Sequence, residues 1–188
     1  MPDLIYEIYS SPQTAFTLQE IALLSGEDNE NNLKANIHYY VTKGKIKALR
    51  KGLYVKENYN PLEVANKIYS PSYVSLETVL QNEGVIFQHY ATIFLIAYLS
   101  REIQVQGLKI RYRKIKDGIL SHPLGIKQEN GCAIATKERA FLDALYLYKD
   151  YYFDNLKPLD HNEIYHLIEA VYKSKRLEKQ VKKLLKNA

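Results

Sequence analysis

Seven lysine or arginine residues fall between positions 34 and 56, and no aspartate or glutamate interrupts them. The nearest acids ahead of them, Glu20, Glu27, Asp28 and Glu30, all precede the run. A one-signed patch of this kind attracts a nucleic-acid duplex through its phosphates, whatever the base sequence. Neutral polar side chains are interleaved with the cations. Asn32 and Asn36 are of the type that reads adenine with two hydrogen bonds, and Lys34 and Lys43 of the type that reaches guanine or a phosphate. His38 and Tyr39 complete the outward candidates on the same segment. Lys47, Arg50 and Lys51 follow, and suit backbone phosphate or the minor groove. Two other readings of the same residues stay open: a small helical domain with a solvated basic face, and a winged helix that binds protein.

Such side chains need rigid elements to aim them. A helix pattern over 17–24 opens at Thr17, a possible cap, and closes near Gly26. Phe16 precedes the cap where a hydrophobic staple would sit. A second pattern over 31–43 places Leu33, Ile37, Tyr40 and Val41 on one face, and Gly44 stops it. Two apolar runs, 46–49 and 53–55, then flank the turn Arg50-Lys51-Gly52. Helix, turn, longer helix and basic hairpin is the layout of a winged helix-turn-helix, with the second helix in the major groove. Leu4, Ile5, Ile8 and Tyr9 form a further short stripe that predicts a first helix of the same domain.

The composition limits what else the chain does. Its 188 residues suggest one or two domains, and 46% hydrophobic content is enough for a real core. The net charge of +5 is mild, so its clustering says more than its total. A single cysteine excludes an internal disulfide framework and fits a cytoplasmic location. The opening residues MPDLIYEIYS lack the basic flank and long apolar run of a signal peptide. The longest apolar stretch, 91–99, is too short to cross a bilayer, so no membrane partner is expected. Seventeen tyrosines without a tryptophan suit thin layers and interfaces, because the ring packs while the hydroxyl stays wet.

Beyond the hairpin, Asn60-Pro61-Leu62-Glu63 reads as a helix start with a capping glutamate, running to about Tyr69. The boundary is expected between residues 56 and 71. That gives a winged helix-turn-helix domain over 1–58 and a mixed domain over 59–188. In the latter, Ser75 is a candidate cap for a helix carrying Leu76, Val79 and Leu80. Strands are expected over 85–87, 91–99, 103–105, 108–115, 119–120 and 132–135, with 121–129 a loop. Helices return at Thr136, at Asp160 with Glu163 as its capping-box partner, and at Ser174. The fold class is α+β: an N-terminal winged helix-turn-helix, then a small β-sheet with C-terminal helices.

Catalytic chemistry finds little support. No glycine-rich phosphate loop is present, and the five histidines are too scattered to ligate a metal, so no cofactor, metal or catalytic residue is expected. Cys132 in an apolar run reads as a small buried hydrophobe. Asp143 lies in an otherwise apolar helix. It can cap a neighbouring loop, pair with Arg139 or meet a partner, but it lacks the second carboxylate that acid–base catalysis would need. Lys109, Arg111 and Arg113 alternate along one strand and form a basic outer face. Seven more cations against Glu178 mark the tail, 173–186.

Taken together, four segments resemble a known family. They are LRKGLYV at 49–55, NPLEVANKI at 60–68, SYVSLETVLQNEGVI at 72–86 and CAIATKERAFLDALYL at 132–147. In order and spacing the chain is similar, over residues 4–150, to the AbiEi-like antitoxins and transcriptional regulators of bacterial abortive-infection systems. The resemblance implies an N-terminal winged helix that binds the promoter of its own operon. It also implies a second domain that counters a nucleotidyltransferase-like toxin without a lasting complex. Lys109, Arg111 and Arg113 are the candidate antitoxin surface of that domain, unless they form a merely solvated face. By the same resemblance Leu53 and Tyr54 frame the wing. Tyr73, Ser75, Leu76 and Leu80 open the second domain, and Lys137, Glu138 and Asp143 belong to its late helix. The partners expected are double-stranded DNA with inverted repeats and that toxin, for a monomer or weak dimer. A regulator without a toxin, using its second domain for dimerisation or ligand sensing, is the alternative.

Overall fold

The computed structural model describes residues 4–148 and 150–186, and among them the chain is α+β with nine α-helices and nine strands. It divides into two compact units, 1–68 and 69–188. No helix among the described residues is long and apolar enough to cross a membrane.

The first unit runs α1 (Leu4–Ser10), β1 (Ala15–Thr17), α2 (Leu18–Ser25), α3 (Glu30–Thr42), β2 (Lys47–Arg50), β3 (Leu53–Val55) and α4 (Pro61–Ile68). Its main core cluster is apolar: Leu4, Ile8, Phe16, Ile21, Leu33, Ile37 and Ile46 pack together. Thr17 caps α2 in a full capping box, its side chain accepting from the Glu20 amide while the Glu20 carboxylate accepts from the Thr17 amide. Phe16 and Ile21 flank that cap and share the core, as a staple would. Phe16 also lies in β1, a strand the sequence pattern does not announce. β1 joins the hairpin to give an antiparallel sheet ordered β1-β3-β2, with Phe16 opposite Tyr54.

α4 belongs to this unit rather than to the second domain, where the sequence pattern puts it. Asn60 accepts from the Leu62 amide as a cap should, but Glu63 does not complete the box. Instead its buried carboxylate accepts from the amide and hydroxyl of Thr14 at 2.8 and 2.6 Å. Lys67, one turn on, donates to Glu20 at 2.6 Å. These bonds fasten α4 to β1 and α2.

The second unit is a six-stranded mixed sheet ordered β6-β7-β5-β4-β9-β8. Its elements are β4 (Ser72–Val74), α5 (Leu76–Asn82), β5 (Ile93–Ala97), β6 (Arg101–Val105), β7 (Leu108–Lys114), α6 (Asp117–Leu120), β8 (Ile126–Glu129), β9 (Cys132–Ala135), α7 (Lys137–Leu147), α8 (His161–Leu167) and α9 (Lys175–Leu185). A π-helical turn, Ile168–Tyr172, continues α8. β5 is interior and almost wholly buried, as its unbroken apolar run requires.

Four expectations fail here. Residues 85–87 form no strand, because the Val85 carbonyl accepts from the amides of Asp154 and Asn155 instead of a strand partner. Residues 119–120 close a short helix, α6, and do not form a strand. Residues 126–129 are no loop, but the edge strand β8 paired to β9. The Asp160 cap accepts from the amides of Asn162 and Glu163, but its own amide donates to Glu138, so Glu163 does not close the box.

Candidate nucleic-acid interface

α3 is held by one face. Leu33 and Ile37 are buried, and Tyr40 and Val41 pack partly against the same core. Asn29 caps it, accepting from the amides of Asn31 and Asn32. Gly44, at φ 67, ends it in the left-handed conformation that glycine takes without strain. The connection into β2 is pinned by the Tyr9 hydroxyl, which donates to the Lys45 carbonyl at 2.6 Å. The turn Lys51-Gly52 is tied to the start of α2 by the Leu18 amide, which donates to the Gly52 carbonyl.

The nine expected contact residues, Asn32, Lys34, Asn36, His38, Tyr39, Lys43, Lys47, Arg50 and Lys51, are all exposed. They are not equivalent. With 3.6 residues per turn, Asn32, His38 and Tyr39 point away from Leu33 and Ile37, whereas Asn36 and Lys43 flank one side and Lys34 the other. Lys34 forms a surface ion pair with Glu30. The Lys43 ammonium sits 5.8 Å from the centre of the Tyr39 ring. Lys56, counted in the basic run, serves the fold: its ammonium donates to the Ser11 carbonyl at 2.6 Å and lies over the Tyr9 and Phe16 rings. Burial holds that ammonium below its ordinary range.

The outermost arc of α3 also contains Asn31, Ala35 and Thr42, all exposed, and Lys45 is exposed beyond it. The sequence pattern alone did not single out these four. The helical period that buries Leu33 and Ile37 would have found the first three.

The second unit treats its charges differently. Arg139 and Asp143, one turn apart on α7, have no exposed surface. The Arg139 Nε lies 3.6 Å from Asp143 Oδ1. Asp143 accepts hydroxyls from Tyr73 (3.1 Å), Ser75 (2.8 Å) and Tyr172 (2.7 Å). The guanidinium lies over the rings of Tyr73 and Tyr172, and donates to the carbonyls of Ile119 and Leu124 and to the Tyr73 hydroxyl. Burial pushes the Asp143 carboxyl up, while Arg139 and the three hydroxyls pull it back. Burial and the adjacent carboxylate push both phenols well above their ordinary range. Of the roles open to Asp143, pairing with Arg139 is the one realised. Ser75 begins α5 without capping it, since its hydroxyl is directed to Asp143. Leu76, the next residue, adopts φ 53, a strained conformation for leucine at a fully buried position.

Lys109, Arg111 and Arg113, the candidate antitoxin surface, do not form one open basic face. Lys109 is exposed, but Arg111 and Arg113 are half-buried. Arg111 pairs with Glu102 at 2.6 Å and lies over Phe94, and Arg113 lies over Tyr148. Nearby Glu77 is buried, and its carboxyl is pushed up by burial and drawn down by the two arginines.

Comparison with protein-family models and with curated proteins finds no match to this chain.

Proposed function

We propose that the chain is a duplex-DNA-binding autoregulator that also serves as the antitoxin to a nucleotidyltransferase-like toxin. One observation carries the DNA half: α3 is held by Leu33 and Ile37 and presents Asn32, His38, Tyr39 and flanking Asn36 and Lys43 to solvent, with Lys47, Arg50 and Lys51 on the adjoining hairpin. Two helices followed by a hairpin, with a third strand ahead of α2, is an arrangement that suits a winged helix-turn-helix. In this reading α3 enters the major groove and the hairpin meets phosphate.

The antitoxin half rests on the resemblance. The two segments that carry it most distinctively, SYVSLETVL and ATKERAFLDALYL, supply Tyr73, Ser75, Arg139 and Asp143 to one buried network. Their residue types therefore have a structural reason to occur together. The reading assigns no catalytic residue, because the carboxylate of that network is closed to solvent. It keeps the protein in the cytoplasm.

Binding isotherms on duplexes from upstream of the protein's own operon, at several salt concentrations, test the first half. The logarithm of affinity should fall linearly with that of salt, by about 0.9 per phosphate contact. Affinity unchanged after neutralising Lys34, His38, Lys47, Arg50 and Lys51 together would remove DNA binding from this surface. Survival counts on co-expression with the neighbouring reading frame test the second half.

A further inference from the structure

We propose that the second unit carries a binding surface for single-stranded nucleic acid, distinct from α3 and its hairpin. It is built from two exposed aromatic residues beside a basic helix. Phe87 is 70% exposed and Tyr152 is 81% exposed, the least covered rings of this unit among the described residues. Neither is a loose surface side chain. The Phe87 amide donates to the Asp154 carboxylate at 2.7 Å, and the preceding carbonyls, Gly84 and Val85, accept from Asn155 and Asp154. Tyr152 is preceded by Tyr151, whose ring stacks on Tyr148 and packs against Phe153. The backbone under both rings is thus fixed while the rings face water.

Tyr152, Asp154, Lys157 and Leu184 of α9 line a cleft of about 370 Å³. α9 buries Leu177 and Val181 and exposes Lys175, Arg176, Lys179, Lys182 and Lys183, with Lys186 just beyond. Glu178, its one acid, is taken up by Lys182. Aromatic rings that accept stacked bases, next to cations that track a backbone, are the two requirements of sequence-tolerant single-strand binding. Asp154, which also lines the cleft, is held by the Phe87 amide toward the loop that carries Phe87. A duplex has its bases already stacked and gains nothing from the rings, so the surface selects unpaired strands. This goes beyond the proposed regulator function and does not depend on it.

The probe is a fluorescein-labelled oligouridylate of about 12 nucleotides, within the usual site size, titrated with the full chain and read by anisotropy. Phe87→Ala and Tyr152→Ala should each weaken its binding about tenfold and leave operator duplex binding unchanged. Replacing Lys179, Lys183 and Lys186 by glutamine should flatten the salt slope by about two units, at ~0.7 per contact for a single strand. Lys47→Ala/Arg50→Ala/Lys51→Ala should do the reverse, losing the duplex and keeping the oligouridylate. Both rings are exposed, and unchanged circular dichroism will confirm that the variants fold. Parent-like oligouridylate affinity in both ring variants overturns the proposal. So does no binding by the parent, loss in the hairpin variant alone, or equal competition by polyglutamate, which would mark a surface that takes any polyanion.

Discussion

Arg50 and Arg139 are the same residue type in opposite circumstances. Arg50 stands on the hairpin of the first unit, exposed, in a unit whose main core cluster is apolar. Arg139 is sealed inside the second unit, with a carboxylate, two tyrosine rings and two carbonyls around it. The first unit keeps its contact cations outside, where they are available to a ligand and contribute little to folding. The second unit exposes cations on α9, but draws Arg139 inward, where it is fixed by partners and unavailable to a ligand. Charge in a sequence therefore says nothing about binding until burial is known.

The sharpest way to break this contrast is Asp143→Ala. It leaves a buried guanidinium without its counter-charge and three hydroxyls without their carboxylate acceptor, and should cost about 3–5 kcal/mol in denaturant unfolding. Adding Arg139→Met should cost less than the sum of the two single changes, because the pair is coupled. A melt of Asp143→Ala identical to the parent would mean that the network does not stabilise the fold. Next in size, Lys47→Ala/Arg50→Ala/Lys51→Ala should leave stability within about 0.5 kcal/mol of the parent. In duplex titrations the same variant should flatten the salt slope by about 0.9 for each phosphate that is no longer neutralised. A large drop in stability there would place those cations in the fold.

His38→Ala should leave stability alone and reduce discrimination at one operator base pair by about 1 kcal/mol, measured by competition among base-substituted duplexes. The smallest effect belongs to Glu20. Burial raises its carboxyl, but the Lys67 ammonium and the Thr17 amide outweigh burial and hold it below the ordinary 4.5. A lowered carboxyl stabilises the folded state above its unfolded value, and the contribution fades as pH falls through the folded one. Glu20→Gln should therefore cost about 0.5–1 kcal/mol at neutral pH, a value discounted for its partial exposure. The difference from the parent should vanish in unfolding curves taken well below pH 4.5.

What the sequence shows and what it hides divide along the same line. Leu33 and Ile37 announce the buried face of α3 by helical period alone, and exposure of the six polar candidates from Asn32 to Lys43 follows from it. The Thr17 cap and the interior strand β5 are equally local signals. Long-range pairings are not. Glu63 sits three residues after Asn60, as a capping residue would, yet it is taken by Thr14, 49 positions away. Alternation along β7 gives the face of Arg111 and Arg113 correctly, but not the aromatic rings of Phe94 and Tyr148 that half-cover it. β8, Ile-Lys-Gln-Glu, is hidden because an edge strand facing water needs no apolar alternation. Residues 85–87 mislead in the opposite sense: Val85 and Ile86 are buried, but by a loop and not by a sheet.

Arg139 also sets how one stretch of irregular chain exchanges its hydrogens. Its guanidinium holds the Ile119 and Leu124 carbonyls, and the Gly125 carbonyl accepts from the Thr136 amide at the head of the same helix. Gly125 sits so close that a Cβ there would meet the Arg139 Cβ at 3.0 Å. The segment from α6 to β8 cannot lift away without opening the buried ion pair. Its internally bonded amides, His122 and Ile126, should exchange with deuterium as slowly as the central strands, although no long helix contains them. In Asp143→Ala that protection should drop ahead of the sheet's, so that a loop reports on a charge buried in the helix behind it.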